Sequence, residues 1–310
     1  MIESPVSSSL RPLSGIAPAA AFVLSELLTF QANLRGVWFY SFVDLSDGEC
    51  DRHRWRETAA REGKGNISVD FDRYAHNYES VIERVAGVSV EGLAAEKARM
   101  VLEIMARKLG DTKRLRVLDL GCGIGLVDQQ VQQEVAELTG VDVSEKSLEI
   151  ARTRARKTQF VAYDGKRLPF DDARFDALFV ICVLLLVPQP ERPALVAEMM
   201  RVLRPGGVAI VMEHNPYNPV TRLIVSRCAL DADSKLLSRA QTSDLLRGAG
   251  AGELGRRYFG FFPLRRPFVQ RGERAISWLP LGAQYCAFGV KTGRGSVVRT
   301  ASQFNDRNGV

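Results

Sequence analysis

Apolar positions along this chain follow two rhythms. Short, near-continuous apolar runs such as 117–120 and 177–183 suit strands covered on both faces. Between them lie longer stretches whose apolar residues recur three and four apart, the period of a helix. Strands are expected near 115–120, 137–143, 158–163, 175–183, 207–213, 254–262 and 284–291. Helices are expected near 125–134, 145–156, 191–203, 219–229 and 241–249. A further helix covers 93–109, with Leu93, Met100, Leu102, Ile104, Met105 and Leu109 as its apolar surface. Ser144 is a good N-cap for the 145–156 helix, and Gly206-Gly207 supplies the turn after 191–203. Such alternation predicts an α/β fold, a parallel sheet with helices on both sides and a ligand at the carboxyl ends of the strands. No internal repeat is evident.

The most informative stretch is VLDLGCGIG, residues 117–125. An apolar strand carrying Asp119 runs into Gly121, Gly123 and Gly125 before the next helical segment. Glycines at this spacing let the backbone pass close to a ligand that a Cβ would block. Asp142, 21 positions after Gly121, ends the next strand. An acid about 20 residues downstream is where a βαβ unit holds ribose hydroxyls. A dinucleotide loop would need its last glycine at 126, which is Leu126. Asp119 would also repel a pyrophosphate, whereas it suits a ligand with an ammonium group.

The D-x-G-x-G-x-G pattern with its later acid resembles that of class I S-adenosylmethionine-dependent methyltransferases. The resemblance continues in order through VAYDGKRLPFDDARFDALFVICV (161–183), RVLRPGGVAIVMEHNP (201–216) and the looser LPLGAQY (279–285). FDRYAHNY (71–78) resembles the N-terminal cover helix of small-molecule members. Residues 66–310 would then form one Rossmann-like, doubly wound domain. Its mostly parallel seven-stranded sheet would carry an antiparallel late hairpin. The resemblance implies S-adenosyl-L-methionine as cofactor and a small molecule as methyl acceptor, with O, N or C undecided. It assigns the methionine ammonium to Asp119, cofactor space to Gly121, Gly123 and Gly125, the ribose hydroxyls to Asp142 and the adenine amino group to Asp164. Tyr74 and Tyr78, four apart, would close over the cofactor.

Residues 1–65 match none of this. They start rich in serine and proline, include VWFYSFV (37–43), and are expected to form a poorly ordered extension. Hydrophobic content of 46% and charged content of 25% describe an ordinary globular chain, and the net charge of +6 reads as scattered surface cations. No basic run interleaved with aromatics suggests nucleic acid. No apolar run reaches the roughly 18 residues of a membrane span. The five cysteines are dispersed with no C-x-x-C, which argues against a disulfide framework or zinc site and for a cytoplasmic protein. The oligomeric state is not readable.

A general base is harder to find. Of the three histidines, His53 lies in the extension and His76 on the cover helix; His214, just past the fifth strand, stands where acceptor would meet the methyl group. Imidazole titrates near neutrality, as a base for a hydroxyl or amine requires. Leu185 and Leu186 stand where relatives of this branch often carry two histidines, so the pocket is more apolar, the nucleophile needs no base, or catalysis is lost. A catalytically silent cofactor binder therefore stays open, as, less favoured, does a nicotinamide-dependent oxidoreductase. A metal-dependent reaction would want clustered carboxylates that Glu213 and Asn215 do not provide.

Overall fold

The computed structural model describes residues 71–87, 89–231, 234–261 and 275–293. The reading of residues 1–65 as an extension lies outside them, as do both ends of the 66–310 domain.

Three helical pieces precede the sheet. Helix α1 (Phe71–Tyr74) passes through a 3-10 turn, Ala75–Asn77, into α2 (Tyr78–Ala86). The cover segment is thus a broken helix, and Tyr74 and Tyr78 sit on either side of the tighter turn. Helix α3 (Val90–Leu109) starts earlier than its apolar pattern suggests, because the Ser89 hydroxyl caps it by accepting from the Gly92 N–H.

Seven strands form one sheet in the order β3-β2-β1-β4-β5-β7-β6. Strands β1 (Arg116–Leu120), β2 (Glu137–Asp142), β3 (Gln159–Ala162), β4 (Phe175–Ile181) and β5 (Leu203–His214) run parallel. Strands β6 (Ala251–Phe259) and β7 (Gln284–Lys291) pair antiparallel, with β7 inserted beside β5. Chain order reverses between β1 and β4, the crevice at which doubly wound sheets bind ligands.

The connecting helices are α4 (Asp128–Val131), α5 (Glu145–Arg154), α6 (Arg192–Val202), α7 (Pro219–Arg227) and α8 (Arg239–Gly248). Alternate strand residues feed two cores. Leu118, Leu178, Val180, Val211 and Ala287 pack with residues of α6 and α8. Val117, Phe179, Ile210, Met212 and Cys286 pack against Ala98, Val101 and Met105 of α3. Both faces of the central strands are therefore dry, as their apolar runs require.

Three further boundaries depart from the sequence pattern. The helix expected at 125–134 is one turn long, because Ala136 and Glu137 N–H groups both bind the Leu115 carbonyl and pull the chain back to the start of β1. Strand β5 begins at Leu203, which pairs with Phe175; the Pro-Gly-Gly stretch forms the irregularity before pairing resumes at Val208. Strand β6 begins at Ala251 despite its flanking glycines, since Ala251 pairs with Lys291 and packs on Gly289.

Candidate active site

The glycine loop leaves β1 at the crevice. A Cβ at Gly121 would lie 2.4 Å from Val183 Cγ2, so this glycine lets the loops after β1 and β4 touch across the switch point. A Cβ at Gly125 would meet Ala151 of α5 at 3.0 Å. Gly123 differs: at a φ of +54° a Cβ there would meet nothing within 4 Å. Open space therefore lies over Gly123, whereas Gly121 and Gly125 serve packing.

Asp142 ends β2 and holds this loop. Its Oδ2 accepts from the Gly123 N–H at 2.8 Å and its Oδ1 from the Ser144 N–H at 2.9 Å. Burial pushes its carboxyl above the usual range, and those two N–H groups oppose the shift. Ser144 caps α5 through the Ser147 N–H, and its hydroxyl donates to Asp72 of α1 at 2.6 Å. Asp72 also accepts from the Lys146 N–H, so it docks the cover segment onto α5. Arg154 of α5 pairs with Glu79 and strengthens that docking. Tyr74 is half-buried within the segment. Tyr78 feels the charges of both Asp142 and Asp231, and burial raises its phenol above the ordinary value.

Beneath the loop two carboxylates are buried together. Asp119 on β1 is 3% exposed and Asp128 on α4 is fully buried. Neither Asp128 oxygen makes a hydrogen bond of good geometry among the described residues, though its own backbone N–H and the Asp119 carboxyl approach it. Burial raises both carboxyls, Asp119 further because Asp128 lies beside it, while Asp128 reaches about 7. Two like charges so placed cannot both ionise cheaply, so the pair shares a proton or takes up a cation.

Asp164 lies in the turn just past β3. It is exposed, and its Oδ1 accepts from the N–H groups of Lys166 and Arg167, which hold its carboxyl below the usual range. One oxygen thus shapes its own turn.

On the α3 face, β5 ends in His214 and β7 opens with Gln284, direct cross-strand partners. Gln284 Nε2 lies 3.2 Å from His214 Nδ1 and 3.5 Å from Cys182 Sγ. Cys182 follows β4 with a φ of +56°, an uncommon backbone for a residue with a Cβ. The His214 ring is held below its usual pKa by burial and by Lys97 of α3, against the pull of Asp231 and Glu213. Glu213 points to the opposite face, where its Oε1 accepts from the Leu184 N–H at 2.8 Å and burial lifts it to about 8. Leu185 is 1% exposed and belongs to the α6 and α8 core. Asn215 Nδ2 is spent on the carbonyls of Pro280 and Gly282.

Of the sequence-predicted residues, the loop glycines, Asp119 and Asp142 converge at the crevice, and His214 lies at the neighbouring strand ends. Asp72, Asp128, Lys97 and Gln284 escape the sequence reading. Among the described residues, no helix is long and apolar enough to cross a membrane.

Residues 117–207 match the family model described as a methyltransferase domain. The chain is 34% identical over 191 residues to the ubiquinone biosynthesis O-methyltransferase of Alkalilimnicola ehrlichii, covering 59% of this chain and 72% of that protein. It is 33% identical over 130 residues to the sterol 4-C-methyltransferase of Caenorhabditis elegans, covering 40% of this chain and 38% of the relative's length. The fold is shared with an S-adenosylmethionine-dependent methyltransferase of Thermotoga maritima, at a TM-score of 0.51 and 21% identity, over 72% of this chain and 98% of that one. It is also shared with the methyltransferase solved with the Haloferax volcanii Trm112 activator, at a TM-score of 0.53 and 17% identity, over 73% of this chain and all of the other. With its glycine loop at the switch point, its late antiparallel hairpin and a relative matched over most of that relative's length, the chain belongs to the class I S-adenosylmethionine-dependent methyltransferases.

Proposed function

We propose that the protein transfers a methyl group from S-adenosylmethionine to a small organic molecule at the carboxyl edge of the sheet. The observation that carries this reading is the open space over Gly123, flanked by the Asp142 carboxylate and underlain by the buried Asp119–Asp128 pair. The residues fit the cofactor. Its ammonium and sulfonium are the kind of charge that two buried, partner-poor carboxylates favour. Asp142 is a carboxylate at the end of the second strand, suited to ribose hydroxyls. Asp164 keeps its second oxygen for the adenine amino group, and Tyr74 and Tyr78 belong to the docked cover segment.

When bound, the cofactor supplies a methyl group already activated on a sulfonium. The remaining task is alignment, and positioning of this kind is worth several kcal/mol. Gly121 locks the loops after β1 and β4 together, so the cofactor platform and the strand ends near His214 form one rigid edge. His214 sits on that edge as the acceptor-facing residue. Relatives named for a ubiquinone-pathway and a sterol methylation support a small-molecule acceptor. The four described cysteines are unpaired, which supports the reading of a reducing, cytoplasmic setting.

The test is transfer of labelled methyl from S-adenosylmethionine to a panel of phenols, enols, amines and sterols. Release of S-adenosylhomocysteine coupled to one acceptor class supports the reading. Cofactor binding without transfer to any acceptor would contradict it.

A further inference from the structure

Gln284 and His214 face each other at the mouth of the β5–β7 pair, and Gln284 is 8% exposed. An amide nitrogen donates and never accepts. Its 3.2 Å approach to Nδ1 makes that ring nitrogen the bare one and puts the imidazole proton on Nε2. The other amide N–H points to Cys182 Sγ, whose left-handed backbone brings the thiol to 3.5 Å. Burial lowers the ring's affinity for a second proton, helped by Lys97 and opposed by Asp231 and Glu213. A neutral ring whose Nε2 already carries a proton offers a hydrogen-bond donor there. It cannot take a proton from an acceptor at that atom.

We infer that Gln284 is a positioning residue that fixes His214 as an Nε2–H donor, and that the acceptor class is one reacting through an oxyanion, such as a phenolate or enolate. This deepens the proposed methyl transfer and rests on it for the acceptor. Lys97 adds to the picture: it is half-buried on α3, makes no ion pair among the described residues, and its charge is felt at both Cys182 and His214. Lys97 therefore favours negative charge on whatever meets His214, and Asp231 opposes it. The step then balances without a base. The acceptor oxygen's lone pair forms the O–C bond while the C–S bond breaks. The C–S electron pair stays on sulfur, the sulfonium becomes a neutral thioether, the oxyanion becomes a neutral ether, and no proton moves.

The direct test is the nitrogen NMR spectrum of the full-length protein labelled at histidine, with the His214 signals identified by their loss in His214→Gln. The expected result is a protonated-type Nε2 and a bare-type Nδ1 in the wild type. In Gln284→Glu, whose carboxylate must accept from Nδ1–H, the pattern should reverse and the ring's titration midpoint should rise. A wild-type spectrum with the proton on Nδ1 would overturn the inference, because the amide oxygen would then face the ring and leave Nε2 free as a base. The second arm uses kcat/KM against pH for acceptors of graded acidity. An acidic limb that moves with each acceptor's own pKa is expected; one fixed limb that vanishes in His214→Gln would overturn it. Calorimetric binding of S-adenosylhomocysteine to the same preparations separates the two layers. Its absence would sink the methyl-transfer reading while the NMR result still decides the state of His214.

Discussion

The Asp142 carboxylate is bonded to the Gly123 N–H at 2.8 Å, tying the end of β2 to the one loop glycine that faces open space. The group suited to ribose is thus the same group that shapes the loop proposed to carry the cofactor. Asp142→Asn keeps the volume but loses the charge and one acceptor for an N–H. Its expected cost is about 1–3 kcal/mol in ligand-free stability, seen as a lower midpoint in urea with unchanged slope. An unaltered midpoint would mean that the loop holds its shape without Asp142.

Gly121 answers to packing. Alanine there would put a Cβ 2.4 Å from Val183 at a φ of +76°. Gly121→Ala should destabilise by about 1–3 kcal/mol and weaken cofactor binding, because the loops after β1 and β4 must separate. The double variant Gly121→Ala with Val183→Ala should recover much of the loss. Additive losses would contradict the contact.

The Asp119–Asp128 pair gives a pH dependence with a definite sign. Asp128 has its carboxyl raised to about 7 in the folded protein by burial. A group with a raised folded pKa contributes stability that is fully present below its unfolded value and lost as pH rises through the folded value. The ligand-free melting temperature should therefore fall between about pH 4 and pH 7, and Asp128→Asn should flatten that fall. Affinity for the cationic cofactor should run the other way, rising across the upper part of the same window as the pair ionises. A melting profile identical in Asp128→Asn would show that Asp128 does not carry the titration.

The cover segment is docked by Asp72 on the Ser144 hydroxyl and the Lys146 N–H. Removing a cap-type acceptor costs about 0.5–2 kcal/mol. Asp72→Ala should therefore loosen 71–86 selectively. Hydrogen exchange would rise in peptides from that stretch and not in β1 or β4. Uniform protection in wild type and variant would contradict the docking role.

How much of this was legible in the chain depends on the range of the interactions. The glycine loop and Asp142 are local chemistry: a strand, a turn that glycine alone permits, and an acid one strand later. The parallel sheet was legible because apolar runs such as 177–183 leave no polar face. The one-turn helix α4 was not, since Val127, Val131 and Val135 keep the helical period while a long-range bond from Ala136 to Leu115 ends it. Leu185, at a position the resemblance gives to the pocket, lies in the core beneath α6 and α8. The pairing of His214 with Gln284 depends on a hairpin that inserts β7 beside β5, 70 residues later. Nothing near either residue announces it.

Calorimetric titration of S-adenosylhomocysteine into wild-type protein and Asp142→Ala tests the central claim most directly. The account predicts binding by the wild type that weakens roughly tenfold to a hundredfold in the variant, the loss of one charged hydrogen-bond acceptor. Equal affinity in both, or no binding by a folded wild type, would contradict the assignment of the Gly123–Asp142 crevice to the cofactor.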